Sequence, residues 1–171
     1  MMVDVNVPAN KFNPKVFDDF CERYDLKFPK AFIDYLSQYN VGVLEPNMIE
    51  GTDNEYYIRY FYGTSNETYF NIERVYENYI GRMPEKCIPI ADPDFGNEIC
   101  MSLAENNYGK IYFWDHETMD TEYGAECILN FDDMVLIADS FENLLEIIEP
   151  VEIPIATGKL EKIKIFFRRI K

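Results

Sequence analysis

Two carboxylates set two residues apart on a turn can share a hard cation, and Asp92-Pro93-Asp94-Phe95-Gly96-Asn97-Glu98 has that spacing. An EF-hand loop also needs glycine at its sixth position and glutamate at its twelfth. Counted from Asp92, Gly96 falls fifth and Leu103 twelfth, so the loop is not of that kind. Asp and Asn bonding their own backbone in a tight turn account for the pattern, and no metal is expected there. Asp115-His116-Glu117 holds the only histidine of the chain. Zinc wants three or four nitrogen or sulfur ligands, whereas Cys21, Cys87, Cys100 and Cys127 are dispersed with no C-x-x-C pair. A nucleophilic triad would need Ser or Cys beside the imidazole, and there is no G-x-S-x-G, P-loop or dinucleotide glycine pattern. His116 is expected to end a strand with its ring at the surface. The neighbours Asp18-Asp19 and Asp132-Asp133 point apart on any regular element, which suits solvated acids better than paired catalytic ones. No catalytic residue, metal or cofactor is expected, and the chain does not read as an enzyme.

What remains is collective. Asp92, Asp94, Glu98, Asp115, Glu117, Asp120 and Glu122 fall on loops that bound the central strands, with Asn97 among them. Antiparallel neighbours would bring several of them to one rim, and such a rim would steer a basic partner and raise its association rate. The expected partner-binding residues are therefore Asp92, Asp94, Asn97, Asp115, Glu117, Asp120 and Glu122. Trp114, Tyr112 or Tyr108 would supply an aromatic anchor if exposed.

These residues must be held by the strands between Cys87 and Glu117. Ile88, Ile90 and Ala91 form a short apolar run that stops at the turn formers 92–97. Ile99, Met101 and Leu103 alternate with Glu98, Cys100 and Ser102, the period of a half-buried strand. After the turn Asn106-Asn107-Tyr108-Gly109, the segment 110–115 has Ile111 and Phe113 on one face and Tyr112 and Trp114 on the other. A strand apolar on both faces belongs inside a sheet covered on two sides. Upstream, Asn13-Pro14 starts a helix with Val16, Phe17, Phe20, Cys21 and Tyr24 inward. Pro29 opens a second helix, with Phe32, Leu36 and Tyr39 inward, ended by Asn40-Val41-Gly42. Residues 45–54 read as a polar turn, and Tyr56 to Tyr62 as a strand packed on helices in preference to a stacking platform for bases or sugars. Asn71 starts a helix with Ile72, Val75, Tyr76 and Tyr79 inward, ended near Gly81. Residues 118–124 read as a loop, and Cys127, Leu129 and Phe131 as a further strand. Asp132 to Ala138 lead into a helix capped by Asp139 or Ser140, with Phe141, Leu144, Leu145 and Ile148 inward. Leu160, Ile163, Phe167 and Ile170 match helical spacing, although Ile163, Ile165 and Phe167 also alternate. The fold class is α+β: one domain over 1–171, with a central, mainly antiparallel sheet of about five or six strands and helices packed on it.

With 171 residues, 47% hydrophobic and 16% aromatic, the chain can bury a full core without disulfides or metal. Its formal charge of −15 disfavours nucleic acid, whose binding rests on neutralising phosphates with Lys and Arg. The charge is unevenly placed. Residues 159–171 hold six of the 16 basic residues and one of the 31 acids, so the preceding residues carry ten bases against thirty acids. The basic segment is expected to dock on its own acidic body; a dimer contact or a membrane-surface helix are the alternatives. There is no signal-peptide pattern and no apolar stretch of membrane-spanning length, so a reducing cytoplasm and no membrane contact are expected.

Three blocks of this sequence resemble the SUKH superfamily, which takes in the yeast cell-wall-assembly regulator and many bacterial proteins that protect their host from polymorphic toxins. They are 88–100, IPIADPDFGNEIC, with 109–117, GKIYFWDHE; the early helix 28–36, FPKAFIDYL, with its turn at Asn40-Val41-Gly42; and the late helix 137–145, IADSFENLL. In the family that turn is usually Asn-Gly-Gly-like, so Val41 departs from it. The likeness covers 28–148, with 151–171 as a basic C-terminal extension. It implies a non-enzymatic immunity protein that binds and neutralises a cognate protein toxin. The acidic surface is consistent with a basic toxin such as a nuclease, and the chain is expected to be a monomer or weak homodimer in the cytoplasm. The alternative it implies is a regulatory or scaffold binding module with no toxin partner.

Overall fold

The computed structural model describes residues 11–49, 56–93, 96–115 and 130–150. Asn13 caps α1 (Pro14–Arg23): its Oδ1 accepts from the Val16 amide at 3.3 Å, and Pro14, which has no N–H to satisfy, takes the first turn. Phe17 and Phe20 face inward, whereas Val16, expected in the same stripe, is 40% exposed. Pro29 precedes α2 (Lys30–Tyr39), which buries Phe32, Tyr35 and Leu36. Asn40 then turns the chain with φ 51° and ψ −116°, a positive-φ conformation that few side chains adopt.

Among the described residues seven strands form one sheet in the order β6-β5-β4-β3-β2-β1-β7, every neighbouring pair antiparallel. They are β1 (Val43–Ile49), β2 (Tyr56–Phe61), β3 (Cys87–Asp92), β4 (Glu98–Ser102), β5 (Ile111–Trp114), β6 (Val135–Ala138) and β7 (Ile148–Pro150). Two more helices complete the described residues, α3 (Ile72–Tyr79), capped by Asn71, and α4 (Phe141–Ile147), capped by Ser140. The α+β class and the central antiparallel sheet hold, with the short strands β6 and β7 at its two edges. The strand β1 replaces most of the turn expected at 45–54. Pro46 lies where the register to β2 shifts between Val43 and Asn47, an irregularity that accommodates a residue with no N–H to give. Val135 to Ala138 form β6 before α4 begins, and Phe131 opens a 3-10 turn (Phe131–Asp133) that Met134 closes. The rest of the strand expected around Cys127 and Leu129, and the helix expected at 160–170, lie outside the described residues.

Alternation along the central strands divides the interior in two. Ile88, Ile90, Ile99, Met101, Ile111 and Phe113 join the aromatic rings of α1, α2 and α4 in the main core. Phe28 stacks on Phe32 with centroids 5.3 Å apart, Phe32 meets Phe141 edge-on at 5.1 Å, and Tyr35 meets Phe61 at 4.9 Å. The intervening positions Cys87, Cys100, Tyr112 and Trp114 pack with Met83 and Met134 in a smaller core flanked by Tyr79. Both faces are thus covered, as the two-sided apolar pattern of β5 requires. The half-buried expectation for β4 fails for the same reason: all five of its residues are buried.

The Tyr35 hydroxyl is fully buried and has no hydrogen-bond partner among the described residues. A buried hydroxyl without a partner carries its desolvation cost uncompensated, so Tyr35→Phe should leave the fold intact and raise stability by about 1 kcal/mol. Urea unfolding would register this as a higher midpoint with an unchanged slope; a lower midpoint would mean that the hydroxyl is bonded in solution.

Candidate functional site

The strand register sets the geometry of the acidic rim. β3 ends on Asp92, β4 begins on Glu98 directly after Asn97, and Glu98 pairs with Trp114, the last residue of β5, which Asp115 follows. Asp92, Asn97 and Asp115 therefore fall at one end of three adjacent strands. Asp94, Glu117, Asp120 and Glu122, and with them His116, lie outside the described residues. Asp92 is held from its own chain: its Oδ2 accepts from the Tyr60 hydroxyl at 2.5 Å, and Arg59 stands 3.9 Å away.

Glu98 departs from the rim reading. It is only 4% exposed, and its carboxyl accepts hydrogen bonds from Tyr62, at 2.8 Å, and from Tyr79. Burial pushes its pKa up to about 8, with the Asp92 charge adding to the rise and the two phenol bonds opposing it. Around neutral pH Glu98 is therefore largely uncharged, and it sits beneath the rim without adding to its negative field. Burial, then the carboxylate of Glu98, raises the Tyr62 and Tyr79 phenols, which stay protonated donors. Arg82 lies over Trp114 at 5.4 Å and over Tyr79 at 6.0 Å, roofing the same pocket of side chains. This Tyr62–Glu98–Tyr79 network was legible only indirectly: Glu98 pairs with Trp114, and a Trp on a two-sided apolar strand implies that its cross-strand neighbour is covered as well.

The aromatic anchors also redistribute. Trp114 and Tyr112 are buried, at 1% and 7% exposure, and Tyr112 accepts from the Asn107 amide at 3.2 Å. Tyr108 is 48% exposed, but it precedes β5 and so lies at the opposite end of the strand from Asp115. In β2, Tyr56, Ile58 and Phe61 are buried, as is Tyr62 just beyond, which fits a packed strand and not a stacking platform.

Among the described residues no group of three or more His, Cys, Asp and Glu side chains is placed to hold a metal. Cys87 and Cys100 are buried, and burial raises the Cys100 thiol well above its usual range, the behaviour of small apolar residues more than of nucleophiles. Asp19 pairs with Lys15 at 2.6 Å, and Asp133 closes the 3-10 turn by accepting from the Asn130 amide at 2.9 Å, so neither acidic pair forms a carboxylate dyad. No helix among the described residues is long and apolar enough to cross a membrane.

Comparison with known proteins bears on the same segment. The sequence model of the SMI1 / KNR4 family (SUKH-1) matches residues 11–147, which extends the likeness back from residue 28 over the whole of α1. The chain is also 32% identical, over 146 residues, to an uncharacterised protein derived from the SPbeta prophage of Bacillus subtilis (strain 168), YokK. That alignment covers 81% of this chain and 69% of the relative.

Proposed function

Since the chain belongs to the SMI1 / KNR4 family (SUKH-1), we propose that it is an immunity protein that binds a cognate protein toxin stoichiometrically and performs no catalysis of its own. One observation carries the choice of surface. Asp92, Asn97 and Asp115 stand together at one end of β3, β4 and β5, in a chain whose formal charge is −15. Asp94, Glu117, Asp120 and Glu122 extend this rim in the reading. A negative, pre-shaped surface steers a basic partner, which suits a cationic toxin, with nucleases one such class. The prophage origin of a relative is in keeping with a role in conflict between bacteria or their phages. The protein works in the cytoplasm, where the toxin would act.

The decisive experiment is to look for a toxic domain encoded beside this gene and to test whether this chain rescues a host that expresses it. Survival restored by the wild-type chain supports immunity; no rescue, with no complex on co-purification, favours a regulatory binding module instead. Given a cognate toxin, Asp94→Lys, Glu117→Lys and Asp120→Lys together should slow association by about tenfold or more at low salt, with the deficit shrinking as salt rises. Stopped-flow association rates across salt concentrations measure this, and rates equal to wild type would remove the rim as the contact.

A further inference from the structure

The smaller core on the second face of β3, β4 and β5 is built from sulfur more than from hydrocarbon. Of its six buried residues four are Met83, Cys87, Cys100 and Met134, none more than 7% exposed. Cys87 pairs with Ser102 and Pro89 with Cys100, so the two cysteines stand diagonally on one face of adjacent strands. Met83 arrives from the turn after α3, and Met134 from the close of the 3-10 turn before β6. Cys100 Sγ lies 3.7 Å from Met83 Sδ and Cys87 Sγ 4.0 Å from Met134 Sδ, and the two thiols hydrogen-bond to each other. Four sulfurs from four segments thus form one connected cluster. A donor set counted in His, Cys, Asp and Glu does not register it, because half of its members are thioethers.

These separations are those of ligands around a single ion. Sulfurs about 2.3 Å from a metal stand about 3.8 Å apart in a tetrahedron and about 4.0 Å apart in a trigonal plane. The donor type narrows the choice of metal. Thiolate and thioether are soft and select Cu(I), whereas zinc takes thiolate, imidazole and carboxylate, and calcium and magnesium take oxygen. We propose that Met83, Cys87, Cys100 and Met134 form a Cu(I) site, in which each cysteine binds as a thiolate and brings one thioether with it. Binding exchanges the two thiol protons for one cuprous ion and changes no oxidation state, so the centre carries one negative charge and its affinity rises with pH. Burial blunts these thiols towards other reagents, but an ion that displaces their protons needs no exposed nucleophile. Arg82, next to Met83, stands 5.4 Å from the ring of Trp114, a member of the same core, and supplies a cation at the edge of the cluster. Both thioethers come from turns and not from the sheet, so rotation of an unbranched methionine side chain admits the ion without breaking a strand. The site is independent of the reading of the chain as a protein-binding module.

The test uses the full chain, reduced and kept from oxygen, titrated with Cu(I) in competition with a chromophoric Cu(I) chelator. The folded protein should withdraw one equivalent and gain a higher melting temperature, since an ion that binds only the native state stabilises it. Met83→Leu and Met134→Leu conserve volume and keep the core filled; each should weaken the competition by about tenfold or more, the loss typical of even an outer-shell partner. Cys87→Ala with Cys100→Ala should abolish the withdrawal, whereas Cys21→Ser with Cys127→Ser should leave it unchanged. Zinc offered in the same way should stay with its indicator. No uptake by the folded chain, zinc held as tightly as Cu(I), uptake that survives the loss of Cys87 and Cys100, or uptake indifferent to both leucine variants would each overturn the proposal. Rescue of the host tests the immunity reading without copper, so the two failures are distinguishable.

Discussion

Replacing Asn40 by alanine should cost about 3–4 kcal/mol, a large share of the roughly 5–15 kcal/mol that stabilises a domain of this size. Asn40 is 5% exposed, and Thr64, which it faces, is 5% exposed as well. Its Nδ2 donates to the Thr64 carbonyl at 2.8 Å, while its Oδ1 accepts from the Thr64 amide at 2.9 Å and from the Thr64 hydroxyl at 3.2 Å. The Thr64 hydroxyl oxygen in turn accepts from the Asn13 amide at 2.9 Å, where α1 begins. One side chain therefore joins the end of α2, the exit of β2 and the cap of α1. Alanine would leave the Thr64 amide and carbonyl without these bonds in the interior, at about 1–3 kcal/mol for each unsatisfied group. It would also hold a Cβ-bearing residue without side-chain hydrogen bonding at φ 51°, which costs about 1 kcal/mol more. Gly63 shows how closely this junction is packed, since a Cβ there would collide with the Asn40 side chain. Asn40→Gly separates the two components: it keeps the backbone freedom and loses only the bonds, so it should fall about 1 kcal/mol short of the alanine cost. Urea midpoints at constant slope give both numbers. A loss below about 1 kcal/mol for alanine would mean that water takes over the bonds to Thr64.

The same residue shows what could be read in advance. Asn40 was legible as a helix terminator, because tolerance of positive φ is local chemistry carried by the residue itself. The Asn13-Pro14 start, the Asn71 start and a cap at Asp139 or Ser140 were legible because a short side-chain acceptor is local too; Ser140 is the one that caps, and all three make their capping bond. The partner of Asn40, 24 positions away, was not, since no local pattern records a tertiary hydrogen bond. Glu98 failed in the opposite direction. Its type and its place in an acidic turn argued for solvent, and only the covering of the second sheet face by Tyr79, Arg82 and Met83 made it an interior group. The strand β1 was hidden by Pro46, a strand breaker in most settings that a register shift absorbs here. Part of the rim was legible because turn residues between antiparallel strands must gather at strand ends; burial of Trp114 and Tyr112 was not, because it depends on which elements pack on the outer face.

Glu98 is where ionisation and fold meet, and its substitution should change how stability depends on pH. The folded chain holds this carboxyl at a pKa of about 8, against an ordinary 4.5. Folding thus favours the protonated form, so the group imposes no penalty below about pH 4.5, an increasing one as pH rises towards 8, and a constant one above. At 1.36 kcal/mol per pH unit the accumulated penalty is on the order of 3–5 kcal/mol. Glu98→Gln cannot ionise, while its amide oxygen can still accept from Tyr62 or Tyr79. Near pH 5 the variant should match the wild type or fall below it by about 1 kcal/mol, for an imperfectly placed amide. By pH 9 it should be the more stable of the two by several kcal/mol, equivalent to roughly 10 °C in melting temperature. Taking the difference between the two proteins at each pH cancels every other titrating group, provided that the groups around Glu98 are unchanged: the phenols of Tyr62 and Tyr79, the carboxylate of Asp92 beyond Tyr60, and the guanidinium of Arg82 over Tyr79. Parallel curves from pH 5 to 9 would show that water reaches the carboxyl and that the interior network is open. A divergence confined to this interval would establish that a neutral carboxyl underlies the rim at physiological pH. The charge offered to a partner is then that of the turn residues alone, and a basic loop seated on the rim, by favouring ionisation of Glu98 beneath it, would bind more tightly as pH rises through 8.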